Sequence, residues 1–285
     1  MGKTVMITGC TSGIGLETTR QLLKWGVAEL VLCCRDKKKI EKIGNQIQLF
    51  GKPLTKIHII ECDLTSLKSV EACSKEVISK LDRLDILINN AGIMASPFKL
   101  VNGVEFQFIS NYLGHFYLTT RLLPLILKSK SRIINVSSIA HLAVPFGFDI
   151  SELENVNESS YNRVRFYGIS KLCNIYFTRE LQIRYGHKGV STFALHPGCV
   201  DTGLSRYIDG GIIFKLLYPI MKFFAKTPFT GAQTTLFCCY SKEEHLLPGG
   251  YYSQCSLSIS SPISLDLNVS KKLWEYSETL CKKAN

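Results

Sequence analysis

Tyr167 and Lys171 stand one helical turn apart in Tyr167-Gly168-Ile169-Ser170-Lys171. On a helix that spacing puts both side chains on one face, with the lysine ammonium beside the tyrosine phenol. A free phenol, with a pKa of about 10, is a poor base near neutrality, and a neighbouring cation favours its phenolate. The pair therefore suits proton transfer to or from a substrate hydroxyl. The same pattern is common in helices that do no chemistry, so its meaning rests on the rest of the chain.

A second cluster lies near the N-terminus. Thr8-Gly9-Cys10-Thr11-Ser12-Gly13-Ile14-Gly15 follows a strand-like run and precedes a helical one. Gly9, Gly13 and Gly15 allow a tight turn and a close backbone approach to a diphosphate, while the helix start, from Ser12 through Ile14, offers unpaired N–H donors. The spacing is neither G-x-G-x-x-G nor a Walker motif, yet with a strand before and a helix after it predicts dinucleotide binding. The next strand ends at Cys34-Arg35-Asp36-Lys37. An arginine there suits a 2′-phosphate, so Arg35, with Lys37 nearby, points to NADP(H) rather than NAD(H). Asp63, after the third strand, is placed either to contact the adenine amino group or to cap the next helix.

The elements that must hold these groups are legible. Thr4 to Thr8, Glu29 to Cys34, Lys56 to Cys62, Asp85 to Asn89, Arg132 to Ser137 and Val190 to His196 read as short strands, separated by helix-length segments. Near-continuous apolar strands such as Ile86-Leu87-Ile88 are what a parallel sheet covered on both faces produces. The expected fold is α/β, a doubly wound parallel sheet of Rossmann type, as a single domain over residues 1–285. Residues 143–165 read as irregular. The stretch 204–227, strongly apolar with interspersed lysines, reads as a substrate-lid insertion, and equally as helix-packing surface.

Composition narrows the classes further. The chain has 285 residues with 46% hydrophobic side chains, enough for a full core, which excludes disorder and disulfide-stapled miniature folds. Lys and Arg number 34 against 23 Asp and Glu, a formal +11. An anionic ligand explains part of this excess, and the lysine clusters lack the aromatic interleaving of a nucleic-acid surface, so no nucleic-acid partner is expected. The 11 cysteines show no C-x-x-C and sit within apolar runs, as buried reduced thiols do. Six histidines without paired ligand spacing predict no metal. No secretory signal is apparent, because the first strand begins at once, and an intracellular location is expected.

Asn89-Asn90-Ala91-Gly92, Ser137-Ser138 and Tyr167-x-x-x-Lys171, in that order after the glycine turn, resemble the short-chain dehydrogenase/reductase family over nearly the whole chain. The resemblance implies Tyr167 as the proton donor or acceptor while hydride moves to or from a nicotinamide. It implies Ser138 as the hydrogen-bond partner of the substrate oxygen, with Ser137 as the fallback, and Asn90 as a cofactor contact. Asn111, in Asn111-Tyr112-Leu113-Gly114-His115-Phe116, matches the family's asparagine that holds a water beside the catalytic lysine. A helix-kink role is the alternative. His115 has no chemical duty in the family pattern and reads as packed. Pro197, Val200 and Thr202, in His196-Pro197-Gly198-Cys199-Val200-Asp201-Thr202, match the loop that lies along the nicotinamide.

The long gap between Ser138 and Tyr167, with Asn135 to His141 and Lys226 to Thr234, resembles the retinol dehydrogenase branch. That implies NADP(H)-dependent interconversion of a lipophilic alcohol and its aldehyde or ketone, of retinol/retinal type. A steroid or small-carbonyl reductase, or a cofactor-loaded scaffold without turnover, are the alternatives. Branch members commonly carry an N-terminal anchor that this reading does not find. The expected location is cytoplasmic or peripheral on the endoplasmic reticulum membrane, through the apolar stretch and lysines, and Lys282-Lys283-Ala284-Asn285 resembles a dilysine retrieval signal. A homodimer stays open.

Overall fold

The computed structural model describes residues 2–36, 38–40, 55–198 and 227–283. The first strand, β1 (Thr4–Thr8), is buried along its whole length and leads through the glycine turn into α1 (Gly13–Trp25). α1 ends where Gly26 adopts φ 72° and its N–H returns to the carbonyls of Leu22 and Leu23, a glycine C-cap. β2 (Glu29–Cys34) and β3 (Lys56–Glu61) follow, then α2 (Leu67–Lys80), whose first turn is capped by the Ser66 hydroxyl accepting from the Ser69 N–H. β4 (Ile86–Asn89) is fully buried. A small hairpin, β5 (Leu100–Val101) with β6 (Val104–Glu105), leads into α3 (Phe106–Phe108), capped by the buried Glu105 carboxylate.

α3 continues through a π-helical turn, Ile109–Leu113, into α4 (Gly114–Arg121), then α5 (Leu123–Ser129). β7 (Arg132–Val136), a 3₁₀ turn Ile139–Ala143 and α6 (Ile150–Glu154) precede α7 (Arg163–Tyr185), a helix of 23 residues capped by Asn162. Residues 166–178 of α7 are buried on every side, as expected of a helix between a sheet and another helix. β8 (Ser191–His196), α8 (Pro228–Tyr240), β9 (Tyr251–Ser253), β10 (Ser256–Ser258) and α9 (Leu267–Lys283) complete the described chain. Thr227, the last residue of the expected lid, caps α8 through its hydroxyl.

The strands form one sheet in the order β10-β9-β8-β7-β4-β1-β2-β3, parallel except for the β9–β10 pair. One apolar core lies between the sheet and α2, α4, α7 and α9, and a second between the sheet and α1 and α8. This is the doubly wound parallel architecture expected from the alternation of apolar strands with helices. The six strands read from sequence match the observed ones to within one residue at either end. β9 and β10, three residues each, carry too short a pattern to read. Part of the segment expected to be irregular is ordered: α6 lies in it, and the Arg165 guanidinium pairs with Glu152 of α6 at 2.8 Å. The ten described cysteines are free thiols, nine of them buried.

The sheet order reverses direction between β1 and β4. Parallel strands place their carboxyl ends on one edge, and the crevice at such a reversal is where this architecture binds ligands. The glycine turn leaves β1 there, Asn90 leaves β4, Ser137-Ser138 leave β7 and Pro197 leaves β8.

Candidate active site

Thr8, the last residue of β1, organises the turn. Its hydroxyl oxygen accepts the N–H groups of Asn90 and Ala91, each at 3.0 Å, and the Asn90 carboxamide donates back to the Thr8 carbonyl at 2.8 Å and the Gly9 carbonyl at 3.3 Å. The glycine turn and the Asn90-Ala91-Gly92 segment are thus laced together. Glycine is required for that contact: at Gly9 (φ 68°) a Cβ would come within 2.8 Å of the Ala91 Cα, and at Gly15 it would run into the Gly9 carbonyl. Asn90 braces the turn, a role its motif alone does not reveal.

α1 starts at this turn with open donors. Ser12 is its N-cap, but the hydroxyl makes no capping bond, and no acidic residue lies in the first turn. Ile14 turns its side chain into the α1–α8 core, leaving its backbone at the helix start. A helix N-terminus that lacks an internal cap or a carboxylate fits a diphosphate. Arg35 and Asp36 are exposed at the end of β2, which the Gly9 N–H joins through the Cys33 carbonyl at 3.2 Å. Asp63 does not cap α2: its Oδ1 holds the N–H and hydroxyl of Thr65 at 3.0 and 2.8 Å, and Ser66 is the cap. Of the expected nicotinamide loop, Pro197 lies at the end of β8, half-buried. Val200, Thr202 and Lys37, and the expected lid up to residue 226, lie outside the described residues.

Tyr167 and Lys171 lie as their spacing requires. Lys171 is buried within α7, and its Nζ stands 5.7 Å from the centre of the Tyr167 ring and donates to the Val136 carbonyl at 3.0 Å. Burial lowers its pKa from 10.5 to about 8, since an ammonium loses hydration in the interior. Gly92 faces this ammonium; a Cβ there would lie 3.4 Å from Nζ and 3.3 Å from the Asn111 Oδ1.

Ser137 and Ser138 separate clearly. Ser137 is buried and its hydroxyl donates to the Lys171 carbonyl at 2.7 Å, so it fastens β7 to α7. Ser138 is partly exposed, and among the described residues its hydroxyl oxygen accepts only a 3.2 Å bond from the Ala140 N–H. Of the pair, Ser138 is the hydroxyl a substrate can reach. The turn carrying it packs against α7 at Gly168, where a Cβ would lie 2.8 Å from the Ala140 carbonyl and 2.9 Å from a Val144 methyl. The His141 ring bridges the Ser138 carbonyl at 2.7 Å and the Ser261 N–H at 3.0 Å.

Asn111 sits in the π turn, a distortion frequently found at functional sites. Its carboxamide pairs with the backbone of Ile93, accepting from the N–H at 2.8 Å and donating to the carbonyl at 2.9 Å, and also donates to Ser170 Oγ at 2.9 Å. The side chain thus joins the β4 loop to α7 at the π turn between α3 and α4. Thr8, Gly92, Gly168, His115 and His141 were not chemical candidates from sequence. Their partners lie far along the chain, and only the glycine clustering and the position of His141, three residues after Ser138, hint at them.

Among the described residues no cluster of three or more His, Cys, Asp or Glu side chains is arranged to hold a metal ion. No described helix is long and apolar enough to cross a membrane.

Residues 3–148 match the short chain dehydrogenase family. Retinol dehydrogenase 14 of Homo sapiens is 38% identical over 294 residues, covering 98% of this chain and 86% of that protein. Retinol dehydrogenase 12 of Homo sapiens is 38% identical over 280 residues, covering 97% and 85%. Among solved structures, a protein of Mycobacterium Paratuberculosis superposes with a TM-score of 0.73 at 30% identity, covering 98% of this chain and 93% of that one. An NADPH-bound carbonyl reductase from chicken fatty liver has the same fold, with a TM-score of 0.65 at 23% identity over 90% of this chain and 98% of that one. Relatives this similar along almost the full length, on a sheet of this order, make the chain an oxidoreductase of the short chain dehydrogenase family, on its retinol dehydrogenase-like branch.

Proposed function

We propose that the chain is an NADP(H)-dependent oxidoreductase that interconverts a lipophilic alcohol and its aldehyde or ketone, with retinol and retinal as the type of substrate. The observation that carries this reading is the buried Lys171 ammonium beside the Tyr167 ring, at the sheet edge where the glycine turn also emerges. The bound dinucleotide supplies the hydride donor or acceptor. In reduction, Tyr167 gives the proton that turns the carbonyl oxygen into a hydroxyl; in oxidation it takes that proton back. The Lys171 charge stabilises the tyrosine oxygen whenever that oxygen is short of a proton, and does so strongly because the ammonium is removed from water. Ser138 steadies the charge developing on the substrate oxygen.

Three features support the cofactor and substrate class. The uncapped start of α1 suits the diphosphate, and Arg35 at the end of β2 suits a 2′-phosphate. The turn after Ser138 exposes Ile139 and Leu142 at about half their surface and Phe146 at 94%, and Val164 lies exposed one turn before Tyr167. An alkyl substrate covering such side chains gains about 25 cal/mol per Å². The relatives named retinol dehydrogenases favour a retinoid among lipophilic substrates.

The test is NADPH consumption with all-trans-retinal, beside NADH and a panel of aldehydes. Wild type is expected to prefer NADPH and to turn over retinal. Tyr167→Phe should lose turnover by about a thousandfold, within the range for an acid–base group, while binding NADPH as wild type does. Turnover surviving in Tyr167→Phe rules out Tyr167 as the proton donor. Arg35→Ala should weaken NADPH about tenfold or more and leave NADH nearly unchanged, as loss of one charge-assisted contact does. Equal loss for both cofactors removes Arg35 from 2′-phosphate recognition.

A further inference from the structure

His115 is fully buried on α4, two residues past the π turn that carries Asn111. Its Nε2 lies 2.8 Å from the Thr8 hydroxyl and its Nδ1 lies 3.1 Å from the Asn111 carbonyl. Proton counting fixes the direction of both bonds. The Thr8 oxygen has two lone pairs, and both are used by the N–H groups of Asn90 and Ala91. Its one proton is left for His115 Nε2, which must therefore carry none. A neutral imidazole then bears its hydrogen on Nδ1, facing a carbonyl that can only accept. The opposite tautomer would set an N–H against an oxygen with no free lone pair and a bare nitrogen against a carbonyl.

The ring is held neutral and in place. Burial, offset in part by the Asn111 carbonyl and reinforced by the Lys171 charge, lowers its pKa from 6.5 to about 4. Its helix packs directly on the Leu64 backbone, so closely that a Cβ at Gly114 would collide with the Leu64 carbonyl.

We propose that His115 is a positioning residue: by accepting the Thr8 hydroxyl proton it aims both lone pairs of that oxygen at Asn90 and Ala91, and so fixes the glycine turn for the cofactor while its other nitrogen steadies the Asn111 turn. This rests on the reading that a dinucleotide occupies the glycine turn. Without the imidazole the hydroxyl proton has no acceptor, Thr8 is free to rotate, and the lacing between β1 and the β4 loop loosens. Dinucleotide affinity then falls before the chemical step does.

Two side chains separate the two bonds. In His115→Gln the amide oxygen reaches the Nε2 position and accepts from Thr8, but nothing donates to Asn111. In His115→Asn the amide nitrogen reaches the Nδ1 position and donates to Asn111, but Thr8 has no acceptor. NADPH binding to the full chain, followed by nucleotide fluorescence, is expected to weaken by about tenfold in His115→Asn and in His115→Leu, and by no more than about twofold in His115→Gln, as the loss of one buried hydrogen-bond partner predicts. At saturating NADPH, kcat with all-trans-retinal should change less than the dissociation constant in each variant. The nitrogen-15 spectrum of the wild-type imidazole should show protonated Nδ1 and bare Nε2.

NADPH binding by His115→Asn equal to wild type, or by His115→Gln as weak as His115→Leu, overturns the proposal. So does an imidazole protonated at Nε2, which wild type alone can reveal should the variants fail to fold. If wild type binds neither NADPH nor NADH, the cofactor reading fails instead, and the imidazole spectrum still decides whether Thr8 donates to His115.

Discussion

Lys171 shows what a buried ammonium costs its own fold. Its ammonium sits in the interior and, among the described residues, has one carbonyl partner, Val136, which also receives the Asn174 carboxamide at 3.3 Å. Replacing the lysine with a thioether of similar length leaves that carbonyl bonded and removes a buried charge. Lys171→Met should therefore lose turnover yet melt at a higher temperature than wild type near neutrality. Its pH dependence carries a signature. The folded pKa is depressed from 10.5 to about 8, so between those values the unfolded chain holds a proton that the folded chain has released. Stability rises with pH across this window, by at most about 3 kcal/mol at 1.4 kcal/mol per unit. The rise should be absent from Lys171→Met in denaturant titrations at pH 8 and 10; an identical rise in both proteins assigns it to other groups. At this scale the sequence placed phenol and ammonium together correctly, because helical spacing is local. The choice of Ser138 over Ser137 came only from the family resemblance, since which hydroxyl meets the Lys171 carbonyl depends on the packing of β7 on α7.

Between elements, the contact that matters most is the one at Gly168. It holds the 3₁₀ turn Ile139–Ala143, which Ser138 caps, against α7 at the residue next to Tyr167. The neighbours of a Cβ there are a backbone carbonyl at 2.8 Å and a branched side chain at 2.9 Å, neither of which can swing aside. Gly168→Ala should push the serine turn away from α7, lowering kcat about tenfold or more and costing about 1–3 kcal/mol of stability, the usual range for an overpacked contact. NADPH affinity should stay within about twofold, since the glycine turn is built on other elements. A stopped-flow measurement at saturating NADPH checks this, and an unchanged hydride-transfer rate rules out Gly168 as the spacer. The strand-to-helix alternation was readable because parallel strands covered on both faces are apolar runs. The helix cap was not: Asp63 and Ser66 both suit the position, and the fold uses Ser66 for the helix and Asp63 for the turn before it.

The whole molecule carries an acid liability in its buried histidines. The His115 pKa falls to about 4, and desolvation lowers that of His141 as well. For a depressed imidazole the contribution to stability is fully present above its ordinary value of 6.5 and is lost as pH falls toward the folded value, because the unfolded chain takes up a proton that the folded chain refuses. Glu105 opposes this, since burial raises its pKa and favours the folded chain below that value. Glu71 and Asp85, lowered by hydrogen bonds and cations despite their burial, add their losses at still lower pH. The melting temperature should therefore drop between pH 6.5 and 4, and His115→Gln, which has no proton to gain, should show a smaller drop. Equal drops in both proteins would clear His115 of that role.

Local periodicity and spacing, on their own, determined the apolar strands, the glycine turn ahead of α1 and the shared face of Tyr167 and Lys171, because each is a property of a few adjacent residues. Tertiary structure alone decided that Ser137 is buried while Ser138 stays accessible, that Asn90 and Thr8 lace the glycine turn, and that two neutral histidines tie the Asn111 and Ser138 carbonyls to distant segments. Those bonds join positions about a hundred residues apart, Thr8 to His115 and His141 to Ser261. A hydrogen bond has meaning only once the sheet order has brought its donor and acceptor to one edge, and no stretch of sequence encodes that meeting by itself.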